Sequence, residues 1–275
     1  MGTLYLVATP IGNLEDLSSR AEKILRGVNL IAAEDTRYTR KLLTHYDIHT
    51  PCISYHEHNK ITQLASVLAA LEQGDVALVS DAGTPGLNDP GYELVRAALE
   101  AGFKVSPIPG PCAPVAALVA SGLPTDAFLY LGYLSRKGTA RRKLLQSVSG
   151  SPYTLIFLEA PHRLLAALAD LQDTLGDREM AVAREMTKIH EEIFRGPISL
   201  ARAHFATQEP RGEITLVIAG KHTQERWDDA RLVHVLEEML QTGEPAARIA
   251  SHLASQSGWP RREIYQRLIE IQSRG

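Results

Sequence analysis

The chain has 275 residues, 44% hydrophobic and 22% charged, a globular balance that excludes disorder, collagen and a coiled coil. Its formal net charge of −3 advertises no global affinity for nucleic acid, so a polyanion site must be a local basic patch. Two cysteines, Cys52 and Cys112, without a CxxC spacing argue against a disulfide scaffold or a cysteine zinc site and fit a reduced cytosol.

In chain order, short β-rich apolar runs alternate with stretches of helical period. The N-terminus runs straight into Leu4-Tyr5-Leu6-Val7-Ala8, which reads as a strand and not as a signal peptide. No apolar run reaches the ~18 residues of a membrane span. The spacing predicts strands over 4–9, 30–33, 52–55, 76–80 and 104–108, interleaved with helices over 17–26, 38–45, 61–73 and 92–101. Such apolar runs bounded by turn residues fit buried parallel strands, and the alternation predicts an α/β class. Pro107-Ile108-Pro109-Gly110-Pro111 breaks regular structure before a helix over 113–121, after which we place a hinge. A second α/β set follows, with strands over 128–133, 154–158, 180–184, 190–194 and 214–219 and helices over 140–148, 162–175 and 198–207. The two strands near Met180 and Ile193 have no helix between them, which predicts a hairpin and a mixed second sheet. Helices then run over 230–241, 246–257 and 261–272. The expected organisation is an α/β domain over 1–121, a second over 122–224 and a helical tail over 225–275.

Ligands of parallel α/β sheets bind beyond the carboxyl ends of the strands. The loop after the first strand, Thr9-Pro10-Ile11-Gly12-Asn13, has neither GxGxxG nor GxxxxGK[ST], which argues against a nicotinamide site and a P-loop. Ala33-Glu34-Asp35-Thr36-Arg37 brings two carboxylates and an arginine after the second strand. In the segment 80–91, three glycines and two prolines leave few side chains and expose backbone to a close-lying ligand. Pro109-Gly110-Pro111-Cys112-Ala113 opens the helix over 113–121 with small residues. Each loop alone reads as a turn, but together on one sheet edge they describe a binding crevice. His56-Glu57-His58 is not HExxH, and no metal is expected.

The set LYLVATPIGNLEDLSSRA (4–21), AAEDTR (32–37), SDAGTPGLNDPG (80–91) and PIPGPCA (107–113) closely resembles the tetrapyrrole-methylase superfamily. The likeness continues through FLYLGYLSRKG (128–138), FLEAPHR (157–163), REMTKIHEE (184–192) and RGEITLVI (211–218). Tetrapyrrole C-methylases carry a GxGPGDP-type first loop and a GDP motif in the third, where this chain has TPIGNLED and SDAGTPG. That departure resembles the branch that methylates the ribose 2′-oxygen of cytidine 1402 in 16S rRNA. The resemblance implies two α/β domains with S-adenosylmethionine between them, the class III methyltransferase arrangement. It also implies a cytoplasmic homodimer acting on the small ribosomal subunit, without a membrane.

By the same resemblance and the loop positions, the methyl donor would be contacted by Pro10, Asp81, Ala82, Gly83, Thr84, Pro111 and Ala113. Tyr133, Arg184, Glu213 and Thr215 would reach it from the second domain. Candidate general bases are Glu34, Asp35, Asp81, Glu159 and His162. At the start of a helix, Asp35 and Arg37 read equally well as a cap and an ion pair. Arg37, Arg163, Arg184 and Lys188 are available for phosphate. The run Arg136-Lys137-Gly138-Thr139-Ala140-Arg141-Arg142-Lys143 has no acid and begins where a strand ends, which makes it an RNA candidate. Tyr133, Tyr55, His56 and His58 are candidates to stack on an extruded base. The tail resembles a helix-turn-helix whose second helix presents Arg261 and Arg262, with packing or dimerisation as its other reading. The competing functions are a porphyrinoid C-methyltransferase and a non-catalytic nucleic-acid-binding regulator.

Overall fold

A computed structural model describes residues 2–207, 210–221, 227–241 and 244–272. The chain forms two compact units, Met1–Lys221 and His222–Gly275. The division expected at 121/122 falls inside the first unit, and the boundary expected at 224/225 lies outside the described residues.

The first unit opens with a five-stranded sheet of β1 (Thr3–Val7), β2 (Leu30–Ala33), β3 (Cys52–Ser54), β4 (Val76–Val79) and β5 (Lys104–Ile108), in the order β3-β2-β4-β1-β5. Every neighbouring pair is parallel. The connections are α1 (Ser19–Gly27), α2 (Thr36–His45), α3 (Lys60–Gln73) and α4 (Tyr92–Glu100). Period-2 alternation explains why both faces are dry. Ile31, Ala33, Ala77 and Val79 face one core with Leu25 and Leu43, whereas Ala32, Val76 and Leu78 face the other with Val67, Leu71 and Leu94. Each fully buried Leu or Val contributes roughly 1.5–3 kcal/mol. Because the strands are parallel, all their following loops leave at one edge.

Next, α5 (Ala113–Ser121) packs Ala117 and Leu118 against Ile156, Ala181, Ala183 and Val217 of a second sheet. The sequence groups this helix with the first domain; its apolar face is buried by the second sheet. That sheet comprises β6 (Phe128–Tyr133), β7 (Thr154–Glu159), β8 (Glu179–Arg184), β9 (Glu192–Pro197) and β10 (Ile214–Ile218), in the order β6-β7-β10-β8-β9. Only β6 and β7 are parallel; the other pairs are antiparallel. Helices α6 (Gly138–Val148), α7 (Leu164–Leu175) and α8 (Ile198–Thr207) cover it. The expected hairpin is β8–β9, but its second strand lies at Glu192–Pro197 and not over 190–194. Glu185 and Thr187 take positive φ of 50° and 66°, and Glu191 N–H bonds the Lys188 carbonyl at 3.1 Å, so 185–191 is spent on the turn.

The second unit comprises α9 (Asp229–Gln241), α10 (Ala246–Ser257) and α11 (Arg261–Gln272). Leu232, Leu236, Ile249, Leu253, Ile264 and Leu268 form its core. Gly258, at φ +68°, closes α10 in the left-handed conformation that a residue without Cβ adopts most cheaply. Trp259 Nε1 then donates to the Trp227 carbonyl at 2.7 Å, holding the α10–α11 turn against the segment before α9. Among the described residues no helix is long and apolar enough to cross a membrane.

Candidate functional site

The loops at the carboxyl edge of the first sheet are laced together by their own backbone. Thr9 and Gly83 exchange two hydrogen bonds, each 2.9 Å, joining the loops after β1 and β4. Gly83 has φ +80°, a conformation that L side chains rarely adopt. Thr84 Oγ1 donates to the Pro111 carbonyl at 3.1 Å, tying in the loop before α5. Asp35 N–H donates to Asp81 Oδ1 at 3.0 Å, and Asp81 N–H donates to Glu34 Oε2 at 3.3 Å, so the loops after β2 and β4 clasp each other. The amides of Asp81 and Gly83 are thereby engaged within the protein.

The second sheet presents its wall by antiparallel register. Ile214, the first residue of β10, lies opposite Glu159 at the end of β7 and opposite Arg184 at the end of β8. A strand's beginning therefore meets two strands' ends. Between the two walls is a cleft of about 310 Å³, with Ala113 and Cys112 at the start of α5 on its boundary. The carboxylates of Glu34, Asp81, Asp89, Glu185 and Glu213 line it, with Lys188 paired to Glu185, as do Tyr130, Tyr133, Leu158, Met186 and Ile214.

Electrostatics separates these acids. Burial raises the pKa of Glu34, with the Asp81 and Asp35 charges adding to it. Burial likewise raises Asp81. Asp89 is pushed up to about 7, first by burial and then by the negative charge of Glu34. Asp35 goes the other way: hydrogen bonds from Arg37 hold it well below the usual carboxylate range, which makes it a poor proton acceptor. Tyr130 Oη is buried without a hydrogen-bond partner, and burial pushes its pKa up to about 12. Five carboxylates, only Glu185 of them paired with the lining Lys188, around an apolar and aromatic wall with an orphaned hydroxyl suit a cationic ligand that also carries a flat apolar part. Among the described residues no three His, Cys, Asp or Glu side chains converge as metal ligands.

Of the residues expected at the methyl donor, Asp81, Ala82, Gly83, Thr84, Ala113, Tyr133, Glu213 and Thr215 line this cleft. Pro111 stands behind it through the carbonyl that Thr84 bonds. Pro10 lines a separate recess beside Asp81, and Arg184 is paired with Glu192 at 2.5 Å. Among the candidate bases, Glu34 and Asp81 are in the cleft, while Asp35 caps α2, accepting from Arg37 N–H at 2.8 Å. Glu159 is 1% exposed; its Oε1 pairs with Arg163 and accepts from Ala160 N–H at 2.7 Å, and its Oε2 has no partner. His162 lines a shallow recess with Tyr133, Arg136 and Arg163.

The basic candidates divide by exposure. Arg136, Lys137, Arg142 and Lys143 are exposed around the start of α6. Arg141 is 7% exposed, its guanidinium 2.6 Å from Asp170, so it holds α6 to α7 and does not face solvent. Lys188 pairs with Glu185 at 2.8 Å and Arg37 with Asp35 at 2.6 Å. Arg261 and Arg262 are exposed at the start of α11. Tyr55 is fully buried in the core, whereas His56 and His58 form an edge-to-face pair 6.1 Å apart. Sequence reasoning passed over Asp89 and Tyr130, although both lie inside the motifs SDAGTPGLNDPG and FLYLGYLSRKG. The missing signal was burial, which the motif itself does not display.

Comparison with known proteins places these motifs in context. The model of a family described as "Tetrapyrrole (Corrin/Porphyrin) Methylases" matches residues 3–202. A Synechocystis protein named "Ribosomal RNA small subunit methyltransferase I" is 50% identical over 100% of both chains. A Thermotoga maritima protein of the same name is 48% identical, matched over its whole length by 80% of this chain. Among solved structures, the uroporphyrin-III-C-methyltransferase from Thermus thermophilus shares the fold. Its TM-score is 0.56 at 19% identity, covering 79% of this chain and 94% of that one.

Proposed function

Since the chain belongs to the tetrapyrrole (corrin/porphyrin) methylase family, in its branch of ribosomal RNA small subunit methyltransferases I, we propose that it methylates the ribose 2′-oxygen of cytidine 1402 in 16S rRNA, using S-adenosylmethionine. The observation that carries the chemistry is the acid-lined cleft of about 310 Å³. The choice of acceptor is supported by the 50% identity with a ribosomal RNA methyltransferase over the full chain, against 19% for the porphyrinoid methyltransferase of like fold. We further propose a cytoplasmic homodimer and domains over 1–121, 122–224 and 225–275.

When bound, S-adenosylmethionine supplies a methyl group activated by its sulfonium charge. Glu34, Asp81, Asp89 and Glu213 would hold its cationic ends, and Tyr133, Leu158, Met186 and Ile214 would take the flat base. Tyr130 Oη stands ready to form a hydrogen bond there. The chain's own task is to orient the acceptor hydroxyl and take its proton. Glu34 and Asp81 are the carboxylates placed for this, because burial leaves them more basic than Asp35. Glu159 acts through Arg163, orienting it toward the recess beside Tyr133. Arg136, Lys137, Arg142 and Lys143 would meet the RNA backbone, and Arg261 and Arg262 add a second basic site.

The test is transfer of tritiated methyl to three acceptors: small subunits lacking the modification, naked 16S RNA and a uroporphyrinoid. Label mapped to the ribose of cytidine 1402 is expected, and comparison of the first two acceptors reads the need for assembly. Label in the porphyrinoid alone would overturn the proposal.

A further inference from the structure

We infer that the acceptor nucleoside docks in a second recess, formed between the loop after β1 and the first turns of α2, which shares Asp81 with the methyl-donor cleft. The inference rests on the acceptor being a nucleotide of RNA, as proposed above. The recess has a volume of about 220 Å³ and is lined by Pro10, Gly12, Leu14, Tyr38, Thr39 and Lys41, with Asp81 at its back. Asp81 also lines the cleft on the other side. Asp81 thus belongs to both cavities, so a hydroxyl that reaches it from the recess would lie beside the cleft.

Size comes first. Drug-sized ligands occupy cavities from about 300 Å³ upward, so this recess suits one small ring system. Its chemistry comes next. Tyr38 is an aromatic residue 54% exposed, and Lys41 Nζ lies 5.5 Å from its ring centroid. An exposed ring beside a lysine is what a stacked base carrying a phosphate requires. Leu14, 39% exposed, continues the apolar wall.

The floor supplies an independent observation. Thr39 is 4% exposed, and its Oγ1 is buried without any hydrogen-bond partner. Buried hydroxyls are normally paired, and one left unpaired on a cavity wall marks a place where a ligand completes the bond. A nucleobase offers both acceptors and amino groups to such a hydroxyl. The N-terminus of α2 is not itself an anion site, because the Asp35 carboxylate already accepts from Arg37 N–H at 2.8 Å. Phosphate would instead be met at the rim. Lys41 stands there, while Lys188, which packs beside Gly12, has its ammonium engaged by Glu185 at 2.8 Å.

The experiment uses the full chain with Tyr38→Ala, Tyr38→Phe and Thr39→Val. Three quantities are read: the KM for small subunits lacking the modification, the S-adenosylmethionine affinity by calorimetry, and the melting temperature. Tyr38→Ala is expected to raise the subunit KM roughly tenfold, the scale of one lost base–aromatic stack, with methyl-donor affinity unchanged. Tyr38→Phe should restore it. Thr39→Val should raise the subunit KM while also raising the melting temperature, because it removes an unpaired buried hydroxyl. A role confined to packing would move both quantities for the worse. An unchanged subunit KM in Tyr38→Ala and Thr39→Val, or a parallel loss of methyl-donor affinity, would overturn the inference. If the wild-type chain binds the methyl donor yet leaves subunits unlabelled, the proposed function fails. The recess is then read by saturation-transfer NMR with cytidine 5′-monophosphate. Contact abolished by Tyr38→Ala sustains it, and no contact in the wild type overturns it.

Discussion

The two walls of the acid-lined cleft follow different rules of construction. On the first, five parallel strands send their loops to one edge, and Glu34, Asp81 and Asp89 follow strand ends in chain order. On the second, the mixed sheet brings Ile214 at the start of β10 beside Glu159 and Arg184 at the ends of β7 and β8. The first wall offers partly exposed carboxylates with raised pKa, suited to proton transfer. The second buries one carboxylate, Glu159, against Arg163 and turns another, Glu213, to the cleft. The same residue type thus lines the cleft at Glu34 and Glu213 and serves architecture at Glu159, and the difference lies in how much water each retains.

Five substitutions sharpen or break this contrast. On the parallel wall, Asp81→Asn is expected to lower kcat for subunit methylation by about 10²–10⁴-fold, the usual worth of a general base. Methyl-donor affinity should fall far less, so single-turnover rates and calorimetry together separate the two. A kcat within threefold of wild type would move the base to Glu34. On the mixed wall, Arg163→Met leaves the Glu159 carboxylate, with 0% of its side chain exposed, unpaired in the core. Breaking a buried pair from one side costs about 3–5 kcal/mol, so urea unfolding should show a loss of that order. An unaltered midpoint would mean that water already pays for the charge.

The third prediction concerns pH. The folded-state pKa of Asp89 is raised to about 7, above its ordinary value, by burial and by Glu34. Its contribution to stability is therefore greatest below pH ~4 and is lost as the pH rises through about 7. Binding of a cationic ligand favours the ionised form, so methyl-donor affinity should strengthen from pH 6 to pH 8. Asp89→Asn should flatten that profile; an equally steep profile in the variant would assign the titration to another group. The smallest effect is expected on the surface of α6. Arg142→Ala should reduce the slope of log affinity for RNA against log salt by about one. Arg141→Ala should instead lower the melting temperature, since it leaves the buried Asp170 short of a partner. Identical salt slopes for wild type and Arg142→Ala would remove α6 from the RNA-binding face.

Much of the first sheet is legible in the chain itself. The run Val76-Ala77-Leu78-Val79 is buried at every position, and apolar continuity announces a strand covered on both faces. The loop after it can be located as soon as the strand is, because parallel topology sends every loop to the same edge. The second sheet is less legible. That Ile214 stands opposite both Glu159 and Arg184 depends on antiparallel register between segments up to 55 residues apart in sequence. The side on which α5 packs likewise depends on which face the second sheet leaves open.

By itself, the sequence determined the element types, the parallel edge and the loops that meet there, since periodicity and turn chemistry are local properties. The local Arg37 contact already sets the charge of Asp35, but tertiary burial decided that of Asp89. Asp35 and Asp89 are the same residue type in two such loops, yet Arg37 pulls the first below the ordinary carboxylate range while burial lifts the second to about 7. Tertiary packing also buried Arg141 against Asp170 and left Arg142, which reaches the same carboxylate at 3.1 Å, half exposed, although the two are adjacent in the chain. Ionisation depends on the water and the charges around a group, and these are set by packing between segments distant in sequence.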